Sequence, residues 1–334
     1  MKPKEQKVEH LSVDRALMTT FYKDMLFYRR FEERVNLAYT QQKFSGFCHL
    51  HIGQEAVCVG IQYNLVPEDY CISGYRSHTQ AIAKGIPAKE VFAELLGKVT
   101  GCARGKGGSM HMFSKKFRFL GGHGIVGGQA PLAVGVGFKI KYMKEDNIIV
   151  CYLGDAAMNQ GQVYEAMNMA ATWKLPVLFV IENNQYGMGT AIKRTTSVDH
   201  LYKRALAFDM KHSMVDGMNV LTVYTHTKRI IAEMRKTKEP YLLEVNTYRY
   251  KGHSVSDPGN YRTKEEVETY MQSDPIAQLK ADLFKFGFVE NEETLQTWDK
   301  EAREEVKKAE LFADESPQPD RSEVWKHVFA EDES

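Results

Sequence analysis

The sequence predicts an α/β fold, a doubly wound parallel sheet with N- and C-terminal helices, and three features predict it. Between about residues 45 and 250 the chain is glycine-rich and alternates short apolar runs with helical patterns. That is the βαβ rhythm of a parallel sheet covered on both faces. One long amphipathic pattern precedes this stretch, and beyond residue 260 the character shifts to charged helices. The expected division is an N-terminal helical segment (1–44), the α/β domain (45–262) and a helical extension of that domain (263–334).

Bulk properties set outer bounds. The 334 residues are 43% hydrophobic and 26% charged, enough to bury a core without covalent staples. A net charge of +1, from 44 basic and 43 acidic residues, offers no surplus for nucleic acid or an anionic membrane. The five cysteines include no C-x-x-C pair, which predicts reduced, packed thiols. Residues 1–7 lead into no apolar run, and Glu5, Glu9 and Asp14 are out of keeping with an acid-poor transit peptide. The expected location is a bacterial-type cytoplasm, or the mitochondrial matrix for a mature eukaryotic form.

In chain order, residues 13–42 predict a helix, with Leu17, Phe21, Met25, Tyr28, Phe31, Val35 and Ala38 in steps of three and four. Residues 148–153 form an apolar run suited to a strand buried on both faces. Gly154-Asp155-Ala156-Ala157 breaks it, residues 163–173 read as a helix, and 176–181 read as the next strand, ending in Glu182-Asn183-Asn184. Asp274-Pro275 marks a helix start, and Leu295, Trp298, Ala302, Val306, Ala309 and Phe312 stripe a later helix. The apolar stretch at 130–140 is too short to span a bilayer.

This arrangement brings Asp155 and Asn184 to the carboxyl ends of consecutive strands, the edge where open parallel sheets bind ligands. A carboxylate and an amide oxygen there suit a hard cation such as Mg²⁺ that shares its ligands with a phosphate. Alone, the two residues would read as turn formers.

The flanking sequence adds a resemblance. Gly154-Asp155-Ala156, closed by Asn183-Asn184, resembles the motif of thiamine-diphosphate enzymes, with Ala156 where the motif has its second glycine. Gly46-Phe47-Cys48-His49-Leu50, Gly53-Gln54-Glu55-Ala56 and Gly74-Tyr75-Arg76-Ser77-His78 resemble the α subunits of thiamine-diphosphate-dependent 2-oxo acid dehydrogenases. So do Gly105 to Met112, Gly121 to Gly127, Glu182 to Thr190 and Tyr248 to Gly259, in family order from about residue 15 to 275.

The resemblance implies that residues 45–262 form the diphosphate-binding half of a thiamine-diphosphate site. Asp155, Asn184 and the main chain of Tyr186 would ligate Mg²⁺. Tyr75 and Arg76 would approach the diphosphate, with His49 at that end. Gly124, Val126, Ala156 and Ala157 would lie along the cofactor, and Ser114 would neighbour it. His253 would stand near the thiazolium and is the implied catalytic residue. His51, His78 and His111 are read as structural, and His123 as a weaker candidate than His253.

The resemblance also implies partners. The glutamate that activates the cofactor would come from a β subunit, in a heterotetramer of two α and two β chains, so the chain alone should be inactive. A lipoyl-bearing acyltransferase would accept the two-carbon unit. The segments around Phe47–Leu50, Gly187–Thr190 and Lys251–Ser254 resemble the pyruvate-acting members. Acetoin and branched-chain 2-oxo acids are the alternatives.

Two glycine patterns point elsewhere. Gly122-x-Gly124-x-x-Gly127 fits a dinucleotide fingerprint, but the preceding residues 115–120 predict no buried strand. Gly101 to Lys106 is one residue short of a P-loop, and no Cys/His spacing suits zinc.

Overall fold

The structure is a computed structural model that describes residues 14–326 and 328. The readings of residues 1–13 and of the last residues lie outside it. The described chain begins with α1 (Arg15–Thr40) and α2 (Glu55–Gln62), followed by β1 (Tyr70–Gly74), α3 (His78–Ala83) and α4 (Ala88–Leu95). Next come β2 (Phe119–His123), α5 (Gln129–Tyr142), β3 (Ile149–Gly154), α6 (Gly161–Thr172) and β4 (Val177–Asn183). A two-residue hairpin, β5 (Tyr186–Gly187) and β6 (Thr190–Ala191), leads to β7 (Lys211–Asp216), α7 (Val220–Thr237) and β8 (Tyr241–Asn246). The last helices are α8 (Lys264–Met271), α9 (Pro275–Lys285) and α10 (Glu292–Glu315).

Six strands form one sheet in the order β2-β1-β3-β4-β8-β7, every neighbouring pair parallel. Both faces are covered, because successive side chains of a strand alternate in direction. Ile149, Cys151 and Leu153 of β3, with Val177, Phe179 and Ile181 of β4, pack beneath α5 and α6. Val150, Tyr152, Leu178 and Val180 pack on the other side, with Phe31 of α1, Val57 of α2 and Val223 of α7. Each such aliphatic side chain, removed from water, contributes on the order of 2 kcal/mol.

The helices begin where their caps dictate. Asp14 accepts from the Leu17 amide ahead of α1, and Asp274 accepts from Ile276 and Ala277 ahead of α9, with Pro275 at its first position. Helix α1 buries Phe21, Met25, Phe31, Val35 and Ala38, and α10 buries Leu295, Ala302, Val306 and Ala309. Arg29 of α1 bonds both Glu55 at the head of α2 and Asp274 at the cap of α9, tying the terminal helices to the sheet domain. All five cysteines are free, and four are buried. Among the described residues no helix is long and apolar enough to cross a membrane.

One expectation fails here. A strand, β2, does precede the glycine pattern at 122–127, and α5 follows it. Its sequence lacks an apolar run because β2 is an edge strand, with β1 its one neighbour among the strands and the register shifted between Cys71 and Ser73. Gly122 is required within it, since a Cβ there would lie 2.6 Å from the Met110 carbonyl oxygen. The missing-strand argument against a dinucleotide therefore does not hold.

Candidate active site

Leaving β1, the chain runs to β2 on one side and then returns to β3 on the other. The strand order thus reverses between β1 and β3, and a crevice opens at their carboxyl ends. A cleft of about 930 Å³ occupies this position. Tyr75 and Arg76 enter it from the end of β1, Asp155, Ala156 and Ala157 from the turn after β3, and Asn184 and Tyr186 from beyond β4. Gly124 and Val126 supply the wall between β2 and α5, while His49 and His253 close another side. Ser114 is not among the lining residues. Its backbone pairs with Phe119 in the turn before β2, with N···O distances of 2.8 and 3.1 Å.

The cleft is distinguished by buried polar atoms that have no partner. Asp155 is 2% exposed, and its Oδ2 accepts no hydrogen bond. Burial pushes its carboxyl up to about 6, against the pull of its own backbone amide and of Arg249. Gln54 Nε2, Gln129 Oε1, His49 Nδ1 and His253 Nδ1 are also buried and unpartnered. A leftover set of donors and acceptors around one cavity marks a ligand site, because an unmade buried hydrogen bond costs about 1–3 kcal/mol.

Charge points the same way. Arg76 is 8% exposed and donates only to carbonyls, those of Leu50 and His253. Burial, and then Arg249, lower its guanidinium to about 10. Two buried cations lie near each other here with no carboxylate bonded to Arg76, a setting that favours an anionic ligand. His49, Tyr75 and His253 form a ring cluster with centroids 4.5 to 5.6 Å apart. Burial and Arg76 hold His49 down to about 2 and His253 down to about 4, so both imidazoles are neutral near pH 7.

The three cation ligands expected from the sequence, Asp155, Asn184 and Tyr186, all line the cleft, and two of them share Arg249 as a partner. Asn184 Oδ1 and the Tyr186 carbonyl oxygen each lie 3.3 Å from Arg249 Nη1, and Asn184 Nδ2 donates to Gln54 Oε1 at 3.1 Å. Among the described residues no three of His, Cys, Asp and Glu gather into a metal cluster. A single carboxylate with amide and carbonyl oxygens fits a cation completed by phosphate oxygens. Ala156 fits as well. Its backbone is not left-handed, and the residue facing it is Gly187, where a Cβ would come within 2.4 Å of the Ala156 methyl.

Sequence reasoning passed over Arg249, which is 1% exposed and bonds Asn184, Tyr186, Met188 and Tyr261. It stands inside the matching segment Tyr248 to Gly259, but nothing in a lone arginine signals burial. Gln54 and Gln129 were missed because an uncharged amide carries no pattern. His51 and His78 are wholly buried and bonded to Glu182 and Glu32 respectively. His123 lines the cleft, its Nε2 3.3 Å from the Leu120 carbonyl oxygen.

Comparison with known proteins agrees with this arrangement. The family described as "Dehydrogenase E1 component" matches residues 23–322. A protein of Rickettsia bellii named "Pyruvate dehydrogenase E1 component subunit alpha" is 45% identical over 308 residues, 92% of this chain and 94% of the relative. One of the same name from Zymomonas mobilis is 48% identical over 318 residues, covering 95% and 89%. A mitochondrial one from Sminthopsis macroura is 46% identical over 314 residues, covering 93% and 85%. The matching span takes in the β2 glycines, the strand ends and the terminal helices together, so the glycine pattern at 122–127 lies within the family's architecture: the chain belongs to the dehydrogenase E1 component family.

Proposed function

We propose that the chain is the α subunit of a pyruvate dehydrogenase E1 component. With a β subunit, in an α₂β₂ assembly, it would bind thiamine diphosphate and Mg²⁺, decarboxylate pyruvate oxidatively and transfer the acetyl group to a lipoyl group of an acyltransferase. The observation that carries this reading is the unpartnered Oδ2 of Asp155, at the strand-end crevice that also receives Asn184, Tyr186 and Arg76. The names of relatives at 45 to 48% identity support the substrate.

Thiamine diphosphate, when bound, supplies the carbon nucleophile and electron sink that decarboxylation of a 2-oxo acid needs. The chain's own residues hold and orient. Asp155, Asn184 and the Tyr186 carbonyl would hold the cation, and the guanidinium of Arg76 would meet phosphate oxygens with charge-assisted hydrogen bonds. Small residues at Gly124, Ala156 and Ala157 leave room for close approach. His253, neutral and with Nδ1 unpartnered, can accept and return a proton at that atom.

The test is calorimetric titration of the chain, co-expressed with its β subunit, with thiamine diphosphate in the presence and absence of Mg²⁺. Binding that requires Mg²⁺ and vanishes in Asp155→Ala is expected; absence of binding by a well-formed assembly would overturn the reading. Turnover of pyruvate over acetoin and 3-methyl-2-oxobutanoate is expected, and a reversed preference would reassign the substrate.

A further inference from the structure

Helix α8 buries none of its residues completely, yet it directly follows the segment that carries His253. Val267 and Tyr270 pack against the sheet core, and a single carboxylate makes the helix's polar contact with the cleft. Glu266 accepts from the Tyr186 hydroxyl at 2.9 and 3.0 Å and from the Tyr248 hydroxyl at 2.8 Å. Tyr270, one helical turn on, stacks on Tyr248 with centroids 3.8 Å apart and planes 5° from parallel. The hydroxyl of Thr263 caps the helix start, which fixes where Glu266 projects.

Tyr186 is the point at which these ties converge. Its carbonyl oxygen receives Arg249, its ring lies 5.4 Å from that of Tyr261, and its hydroxyl reaches Glu266. Arg249 and Tyr261 belong to the same stretch as His253, and the Tyr261 hydroxyl donates to Asp257 at 2.8 Å. The Asp257 carboxylate in turn accepts from the His253 amide at 2.6 Å. A chain of bonds therefore runs from the carbonyl assigned to the cation, through Tyr186, to the helix that ends the His253 segment.

We propose that Glu266 is a positioning residue, which clasps Tyr186 so that the cation-binding turn and the His253 segment order as one unit. This rests on the cofactor reading given above. A carboxylate suits the task because, once ionised, it only accepts and can take both phenols together. Groups that orient a metal ligand from behind typically change metal affinity tenfold or more when removed.

The experiment uses the α–β assembly and two readouts: the Mg²⁺ concentration that half-saturates thiamine diphosphate binding, and tryptic cleavage after Lys251, Arg262 and Lys264. Glu266→Ala raises the half-saturating Mg²⁺ at least fivefold and speeds cleavage in the absence of cofactor. Tyr186→Phe, which keeps the carbonyl and loses the hydroxyl, does the same. The double variant is no worse than either single one, as expected for two groups acting through one bond. Glu266→Gln, which keeps an acceptor, falls between. An unchanged Mg²⁺ requirement in both single variants, or additive losses in the double, overturns the proposal while leaving the cofactor reading intact. If the wild-type assembly binds no thiamine diphosphate, the reading and this inference fall together. If Glu266→Ala does not assemble, Tyr186→Phe decides.

Discussion

Asp155 and Glu94 are carboxylates withdrawn from solvent to a similar degree, 2% and 0% exposed, but their surroundings are opposite. Glu94 stands near the end of α4, and four backbone amides of the loop that follows point at its carboxylate. Those of Ala103 and Gly105 meet Oε2, and those of Gly107 and Gly108 meet Oε1, at 2.7 to 3.2 Å. Asp155 has one oxygen with no partner, in a cavity wall shared with other unpartnered groups. Burial alone does not separate a structural charge from a functional one; completeness of hydrogen bonding does. Glu94 is finished by the fold. Asp155 is left with one oxygen that the fold does not satisfy.

Removing each carboxylate separates the two roles, and the largest effect expected is on activity. Asp155→Ala should reduce turnover of the α–β assembly by about a thousandfold or more, the scale on which losing a directly bound electrostatic group acts. Its unloaded stability should hold or rise, because an uncompensated buried charge is removed. Steady-state turnover and urea unfolding on one preparation check both halves, and a loss of stability matching the loss of turnover would erase the distinction.

Glu94→Ala should do the reverse. Four amide donors lose their acceptor, and the ion pairs of Arg104 and Lys106 with Glu323 hold the loop only from its outer side chains. A cost of roughly 3–5 kcal/mol is expected, read as a drop in urea midpoint. Activity should fall only as far as folded protein is lost, apart from a smaller contribution through Ser109. That residue ends the loop and bonds His78 at 2.8 Å and the His49 amide at 3.4 Å.

The histidines sharpen the comparison through pH. His253 is held at about 4 in the fold against 6.5 unfolded, and His49 lower still, burial being the first cause in both. Below pH 6.5 the unfolded chain takes up protons that the folded chain refuses. Stability from neutral imidazole is thus whole above pH 6.5 and declines as pH falls towards 4. His253→Gln should flatten this acid limb by roughly 2 kcal/mol at pH 5, measured by urea unfolding of the unloaded assembly at pH 5 and 7. A diphosphate beside Arg76 would offset the same repulsion, so the difference between wild type and variant should shrink when cofactor is bound.

What the sequence made legible follows the same divide. The strands β3 and β4 announce themselves because both faces are buried, which forces continuous apolar runs, and Asp155 and Asn184 then follow from chain order. The edge strand β2 does not, since pairing on one side with glycines under a crossing backbone leaves no pattern to read. Arg249 and Glu266 escaped for another reason: their meaning lies in partners 60 or more residues away in the chain, Asn184 and Tyr186. The Glu94 loop is equally silent, because backbone amides carry no sequence signature. Ser114, expected to neighbour the cofactor, lies in the turn before β2.

The smallest effect tests how the cleft tolerates its departure from the glycine motif. Ala156 and Gly187 are complementary, the methyl of one filling the space in front of the other, so the pair should behave as a unit. Gly187→Ala would place a Cβ 2.4 Å from the Ala156 methyl, closer than side chains pack. Overpacking of this kind costs about 1–3 kcal/mol, and the turn that carries Tyr186 should move with it, weakening thiamine diphosphate binding. Ala156→Gly alone should change affinity by less than threefold and lower stability by about 0.5–1 kcal/mol, chiefly through the freer unfolded chain. Combined, Ala156→Gly should recover most of the binding lost in Gly187→Ala, because the methyl is then on the opposite side of the same gap. Calorimetric affinities of the four proteins close the cycle. Simple additivity would mean that the two residues do not share that space, and that the cleft accommodates Ala156 by some means other than Gly187.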